Sequence, residues 1–130
     1  GVYAAYEPYA SVSVVGGTDS VEYTVNRFDQ VLGTRVSGKE QPPDGKIPRF
    51  VHIDKAVEHT VRQEAKEGES VSITVTSRSS GHAERLREHI DDRFRQSGDE
   101  RNPPEVRVQP PQGAGNAPGG SRQSESAEQA

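Results

Sequence analysis

The stretch Glu69–Gln96 (ESVSITVTSRSSGHAERLREHIDDRFRQ) decides the fold. Val71, Ile73 and Val75 alternate with Ser70, Ser72, Thr74 and Thr76. That alternation predicts a strand with one apolar face and one hydroxyl face. Beyond Gly81 the period lengthens. Ala83, Leu86, Ile90 and Phe94 return every three or four residues, the stripe of an amphipathic helix from about His82 to Gln96. A strand with one polar face belongs in a sheet that helices cover on one side only.

The junction between strand and helix, Ser77-Arg78-Ser79-Ser80-Gly81, is small and polar. Such a loop points free backbone N–H groups at one spot, with the helix dipole behind them, which is how proteins hold a phosphate or carboxylate. It is equally the form of an ordinary strand-to-helix connection.

Working outward, Arg49 to Ile53 predicts a short strand. Asp54 then caps a helix to about Glu67, with Val57, Thr60, Val61 and Ala65 inward and Gly68 as the stop. Glu105 to Gln109 predicts a last strand. Upstream, Ala10 to Val15 predicts a strand closed by Gly16-Gly17. Residues 19–32 admit two readings. Val21, Tyr23 and Val25 alternate as in a hairpin strand, whereas Val21, Val25, Phe28 and Leu32 have helical spacing. Asp19 with Glu22 resembles a capping pair and Gly33 a helix stop, and these end signals favour the helix.

Thr34 to Ser37 predicts a short strand and Gly38 to Pro48 a loop rich in breakers. Tyr3, Tyr6 and Tyr9 around Pro8 predict an edge strand, a candidate surface for a protein partner or a second copy. From Pro110 the composition turns to Pro, Gly, Ser, Gln and Glu without apolar periodicity, the pattern of a disordered tail. The expected architecture is a single α/β (or α+β) domain over residues 1–109. It is a two-layer sandwich, a mixed sheet with two or three helices on one face, followed by a disordered tail over 110–130.

Composition narrows the function. The chain has 130 residues, 29% of them hydrophobic, enough for one thin core. A net charge of -4 argues against a global nucleic-acid binder but leaves room for a local basic face. With no cysteine, disulfides and thiol chemistry are excluded. Apolar runs fall far short of the ~18 residues a membrane helix needs, so no membrane partner is expected and the expected setting is cytoplasmic.

At ~100° per residue, His82, Arg85, His89 and Arg93 share one stripe of the second helix. With Arg78, Ser79, Ser80 and Gly81 they form the candidate anion site, suited to a phosphorylated ligand or an RNA backbone. The plainer alternative is a solvated helix face laced by Arg87/Asp91 and Asp91/Arg95 pairs. Gly16 to Ser20 would be a second cradle only if 19–32 were helical, and it lacks both the Walker and the dinucleotide patterns.

His52/His59 and His82/His89 are seven residues apart, roughly 10 Å along a helix and too far to share a metal. No metal site and no cofactor are therefore expected. Ser79 and Ser80 lie near His82, but no orienting acid is identifiable for nucleophilic catalysis. A non-enzymatic binding module is the leading expectation. The alternatives are an oligomerising or protein-interaction domain and a metal-dependent nuclease or hydrolase of RNase-H-like type. The last would need Glu7, Asp19 and Asp54 to converge, and no acid follows the strand 71–76 where that chemistry would want one.

Overall fold

The computed structural model describes residues 2–17, 19–42, 47–66, 70–96 and 104–110. A six-stranded mixed sheet carries two helices on one face, an α+β two-layer sandwich. The strands are β1 (Ala10–Gly16), β2 (Asp19–Val25), β3 (Val31–Val36), β4 (Lys39–Gln41), β5 (Val71–Ser77) and β6 (Glu105–Val108). Helix α1 spans Ile53–Lys66 and α2 spans Ser80–Gln96. The sheet order is β4-β3-β2-β1-β5-β6, antiparallel throughout except for the parallel β5/β6 pair. Among the described residues no helix is long and apolar enough to cross a membrane.

Residues 19–32 are not a helix. They form β2, a turn and the start of β3. β2 pairs with β1 without interruption from Ala10↔Val25 to Gly16↔Asp19. Gly17, at φ 45, supplies the left-handed backbone of the connection. Val21, Tyr23 and Val25 thus share the core face. The helical spacing with Phe28 and Leu32 was coincidental, and the β-branched and aromatic content had pointed to a strand.

Three smaller expectations also change. Residues Val2–Tyr6 form a 3-10 helix rather than an edge strand. Arg49 to His52 is a turn with one isolated bridge, Gln30↔His52, and Ile53 opens α1, because Phe50 takes φ 70, which no strand accommodates. Lys39–Gln41 pairs with β3 inside what reads as loop. The stop at Gly68, the loop residues 43–46 and the tail from 111 lie outside the described residues.

The core lies between the sheet and the helices. Val12, Val14, Val25, Ile73 and Val75 face Ile53, Ala56 and Val57 of α1 and Ala83, Leu86 and Ile90 of α2, all buried. Tyr23 is the largest fully buried side chain, and its hydroxyl donates to Ala56 O at 3.3 Å and bonds Thr60 Oγ1. Gly16 lets α1 approach the end of β1, since a Cβ there would meet Glu64 Oε1 at 3.1 Å.

The β2–β3 turn closes around Asn26, which is fully buried. Its Oδ1 accepts the N–H groups of Phe28 (2.9 Å) and Gln30 (3.0 Å). Its Nδ2 donates to Ala5 O and Gln30 Oε1, both at 3.0 Å. Truncation would leave several buried polar groups without partners at once. Asn26→Ala is expected to lower stability by about 3 kcal/mol in urea unfolding. A loss below about 1 kcal/mol would show that the amide does not hold the turn.

Candidate functional site

Among the described residues nothing covers the sheet face away from the helices, and its pattern follows from strand alternation. In β1 it presents Ser11 and Ser13, in β2 Glu22 and Thr24, in β5 Ser72, Thr74 and Thr76. Register aligns Thr24, Ser11 and Thr76 as one row across three strands. The next row reads Arg35, Glu22, Ser13, Thr74, Arg107.

Both ladders run past the strand ends. Tyr9 N donates to Val25 O at 2.8 Å, and Arg78 N donates to Tyr9 O at 3.1 Å. Tyr9 and Arg78 therefore continue the open-face alternation of Ser11 and Thr76. Arg27 joins them from the β2–β3 turn. The Arg27 guanidinium lies 5.5 Å and the Arg78 guanidinium 5.9 Å from the centre of the Tyr9 ring. A depression of about 290 Å³ opens here, walled by Pro8, Tyr9 and Arg78 and floored by Ser11, Thr24 and Thr76. Glu7 is the opposing charge, 3.8 Å from Arg78, with both side chains more than half exposed.

The residues predicted as an anion site separate into three groups. Arg78 stands at this depression. Ser79 caps α2, its Oγ accepting His82 N–H at 3.2 Å. Ser80, Gly81, Arg85 and His89 are exposed on the helical layer. His82 and Arg93 are held by partners that sequence spacing does not reveal.

His82 joins a buried chain. Ser77 Oγ lies 2.8 Å from His82 Nδ1, and His82 Nε2 lies 2.8 Å from Asp29 Oδ1. With a neutral imidazole, Nε2–H donates to Asp29 and Nδ1 accepts from the serine hydroxyl. These are the residue types of an acyl-transfer triad. The arrangement is closed, however. Ser77 is 3% exposed and His82 8%, and Ser77 Oγ also accepts Ser79 N–H at 3.3 Å. The chain instead fixes the end of β5, the first turn of α2 and the β2–β3 turn to one another, with Tyr9 packed edge-on against the imidazole, centroids 5.0 Å apart.

Arg93 clamps the helices together. It donates to Glu58 Oε1 through Nε (3.0 Å) and Nη2 (2.8 Å), and to Asp54 Oδ2 through Nη1 (2.9 Å). The Glu58 hydrogen bond leads in raising the Arg93 pKa, against a smaller desolvation effect. His52 bonds the other Asp54 oxygen at 2.8 Å. Partial burial pushes the Asp54 carboxyl up. The His52 hydrogen bond and charge, with those of Arg93, outweigh it and hold the carboxyl below its usual value of 3.8. Arg93 is thus an interhelix tie.

Glu7, Asp19 and Asp54 do not converge. Asp19 pairs with Gly16 at one end of β1, and Glu7 precedes the other end, a strand length of roughly 20 Å away. Among the described residues no group of three or more His, Cys, Asp or Glu could hold a metal ion.

The residues missed from sequence are Ser11, Thr24 and Thr76 at the depression, Arg27 over the Tyr9 ring and Asp29 beside His82. The hydroxyl face of 70–76 was a usable signal for Thr76 and, two residues on, Arg78. The helical reading of 19–32 hid Thr24, Arg27 and Asp29. No family model, curated protein or solved structure matches the chain.

The Asp54 shift gives a signed pH dependence. Because the folded carboxyl titrates below its unfolded value, its contribution is full above the unfolded pKa and fades as pH falls through the folded one. Asp54→Asn is expected to cost about 1 kcal/mol at pH 7. The difference from the parent should shrink below pH 3.8 in denaturant titrations at several pH values. A pH-independent difference would contradict the clamp.

Proposed function

We propose that the chain is a non-enzymatic binding module for a phosphate-bearing ligand, held at the end of the open sheet face. The observation that carries this reading is the pair of guanidiniums on one tyrosine ring beside three aligned hydroxyls. Guanidinium forks match phosphate oxygens, and hydroxyls donate to the same acceptors. The ring contact keeps both arginines near one another without neutralising them. The Ser77–His82–Asp29 chain holds Tyr9 from behind, which is a positioning role rather than a catalytic one. A cytoplasmic setting, where phosphorylated ligands abound, fits this reading.

Thermal unfolding with tripolyphosphate, at low and moderate salt, tests it. The parent is expected to gain stability in a salt-sensitive way. Arg27→Ala combined with Arg78→Ala should abolish that gain, while Arg85→Ala on the helical layer should retain it. Both sites are exposed, so the double variant should lose no more than about 1–2 kcal/mol of intrinsic stability. A full tripolyphosphate shift in the double variant would overturn the assignment.

A further inference from the structure

Two exposed aromatic side chains stand at the same end of the sheet. Phe28 follows Arg27 in the β2–β3 turn and is 54% exposed; Tyr6 is 61% exposed. The buried Asn26 amide holds the backbone at both places, accepting Phe28 N–H and donating to the carbonyl of Ala5, the residue before Tyr6. The Tyr6 ring also meets Phe50 edge-on, centroids 5.4 Å apart. Phe50 reaches that position with φ 70, a backbone state costly for a bulky residue. Single exposed hydrophobic residues need no explanation. Here the backbone that carries two exposed aromatics is tied to a buried network, at the same end of the sheet as two arginines on a third ring.

From this juxtaposition we infer that the ligand is a single-stranded nucleic acid. Its phosphates would take Arg27, Arg78 and the hydroxyl row, and its bases would stack on Phe28 and Tyr6. The inference rests on the phosphate-binding reading above and adds the ligand class. Exposed rings with adjacent arginines are the parts of a single-strand platform, since every base offers a π-face. A duplex keeps its bases stacked inside and offers only its backbone. A protein partner could use the same aromatic and arginine anchors. The three aligned hydroxyls and two guanidiniums favour a repeating acceptor, which a phosphodiester chain supplies. Glu7 opposes it from beside Arg78, and Asp29 is engaged by His82. Two phosphate contacts predict a shallow salt slope of about −1.4 in log K against log salt.

Fluorescence anisotropy of the full chain with labelled mixed-sequence 8-mers of RNA and DNA, the matching duplex, and tripolyphosphate as competitor tests the inference. Single strands are expected to bind more tightly than duplex. Phe28→Ala and Tyr6→Ala should each weaken single-strand binding about 5- to 100-fold while leaving the tripolyphosphate shift unchanged. Both side chains are exposed, and unchanged circular dichroism confirms that the variants fold. A difference between RNA and DNA would assign the 2′-hydroxyl a role; equal binding would assign recognition to bases and phosphates alone, and either outcome supports the inference. Equal binding of single strand and duplex, indifferent to Phe28→Ala, overturns it and leaves the phosphate reading standing. Absence of binding to every polyanion overturns both. Self-association abolished by Phe28→Ala, with no single-strand binding, would make the patch an interface between copies and also overturn the inference.

Discussion

The buried amide of Asn26 is the constraint on which this end of the molecule depends. One side chain satisfies two turn N–H groups, a backbone carbonyl of the N-terminal segment and the Gln30 amide. The turn it shapes reaches both helices. Asp29 O accepts Ile53 N–H at the start of α1, and Asp29 Oδ1 engages His82 in the first turn of α2. The N-terminal segment, α1 and α2, distant in sequence, therefore meet at the turn over residues 26–30. Buried polar groups cost most when unpaired, so this network is satisfied as a unit and fixes the relative placement of everything attached to it.

Two of the three non-glycine residues with positive φ among the described residues stand at the same place; the third, Ser37 (φ 51), is in the β3–β4 turn. Asp29 (φ 65) and Phe50 (φ 70) both occupy the left-handed region without being glycine. Such states cost on the order of 1–3 kcal/mol each and persist where surrounding contacts over-determine them. Here Asp29 N–H bonds Asn26 O at 3.1 Å and Phe50 N–H bonds Val31 O at 2.7 Å. The hydrogen-bonded turn carries Arg27 and Phe28 and is tied through Ala5 to the segment that carries Tyr6. A ligand meeting these groups would not have to order them first, which is what preorganisation contributes to affinity.

The two arginines that sequence placed together, Arg78 and Arg93, show why charge on a helical wheel is an incomplete guide. Both belong to the strand–loop–helix segment. Arg93 faces α1 and meets Asp54 and Glu58 through three hydrogen bonds. Arg78 continues a strand alternation onto the open face and meets a ring and one distant carboxylate. Angular position on a helix was read correctly. Which charges wait on the neighbouring helix depends on a crossing that no local pattern encodes. His82 makes the same point more sharply, because its partner Asp29 lies 53 residues away.

Sequence by itself determined the two helices, the two-faced strand at 71–77 and the one-sided cover of the sheet. Each is a periodicity of side chains along a continuous segment, set by local geometry. Tertiary structure alone decided that residues 19–25 are a strand, that Lys39–Gln41 pairs with β3, and that Thr24, Ser11 and Thr76 form a row. Those outcomes depend on register between strands. For 19–25 the local signals were divided, and pairing with β1 along its whole length settled them by satisfying backbone groups that a helix would have withdrawn from the sheet. The depression with Tyr9, Arg27 and Arg78 is likewise legible only after folding, since its residues come from two strand ends and a turn that only the sheet's hydrogen bonding brings side by side.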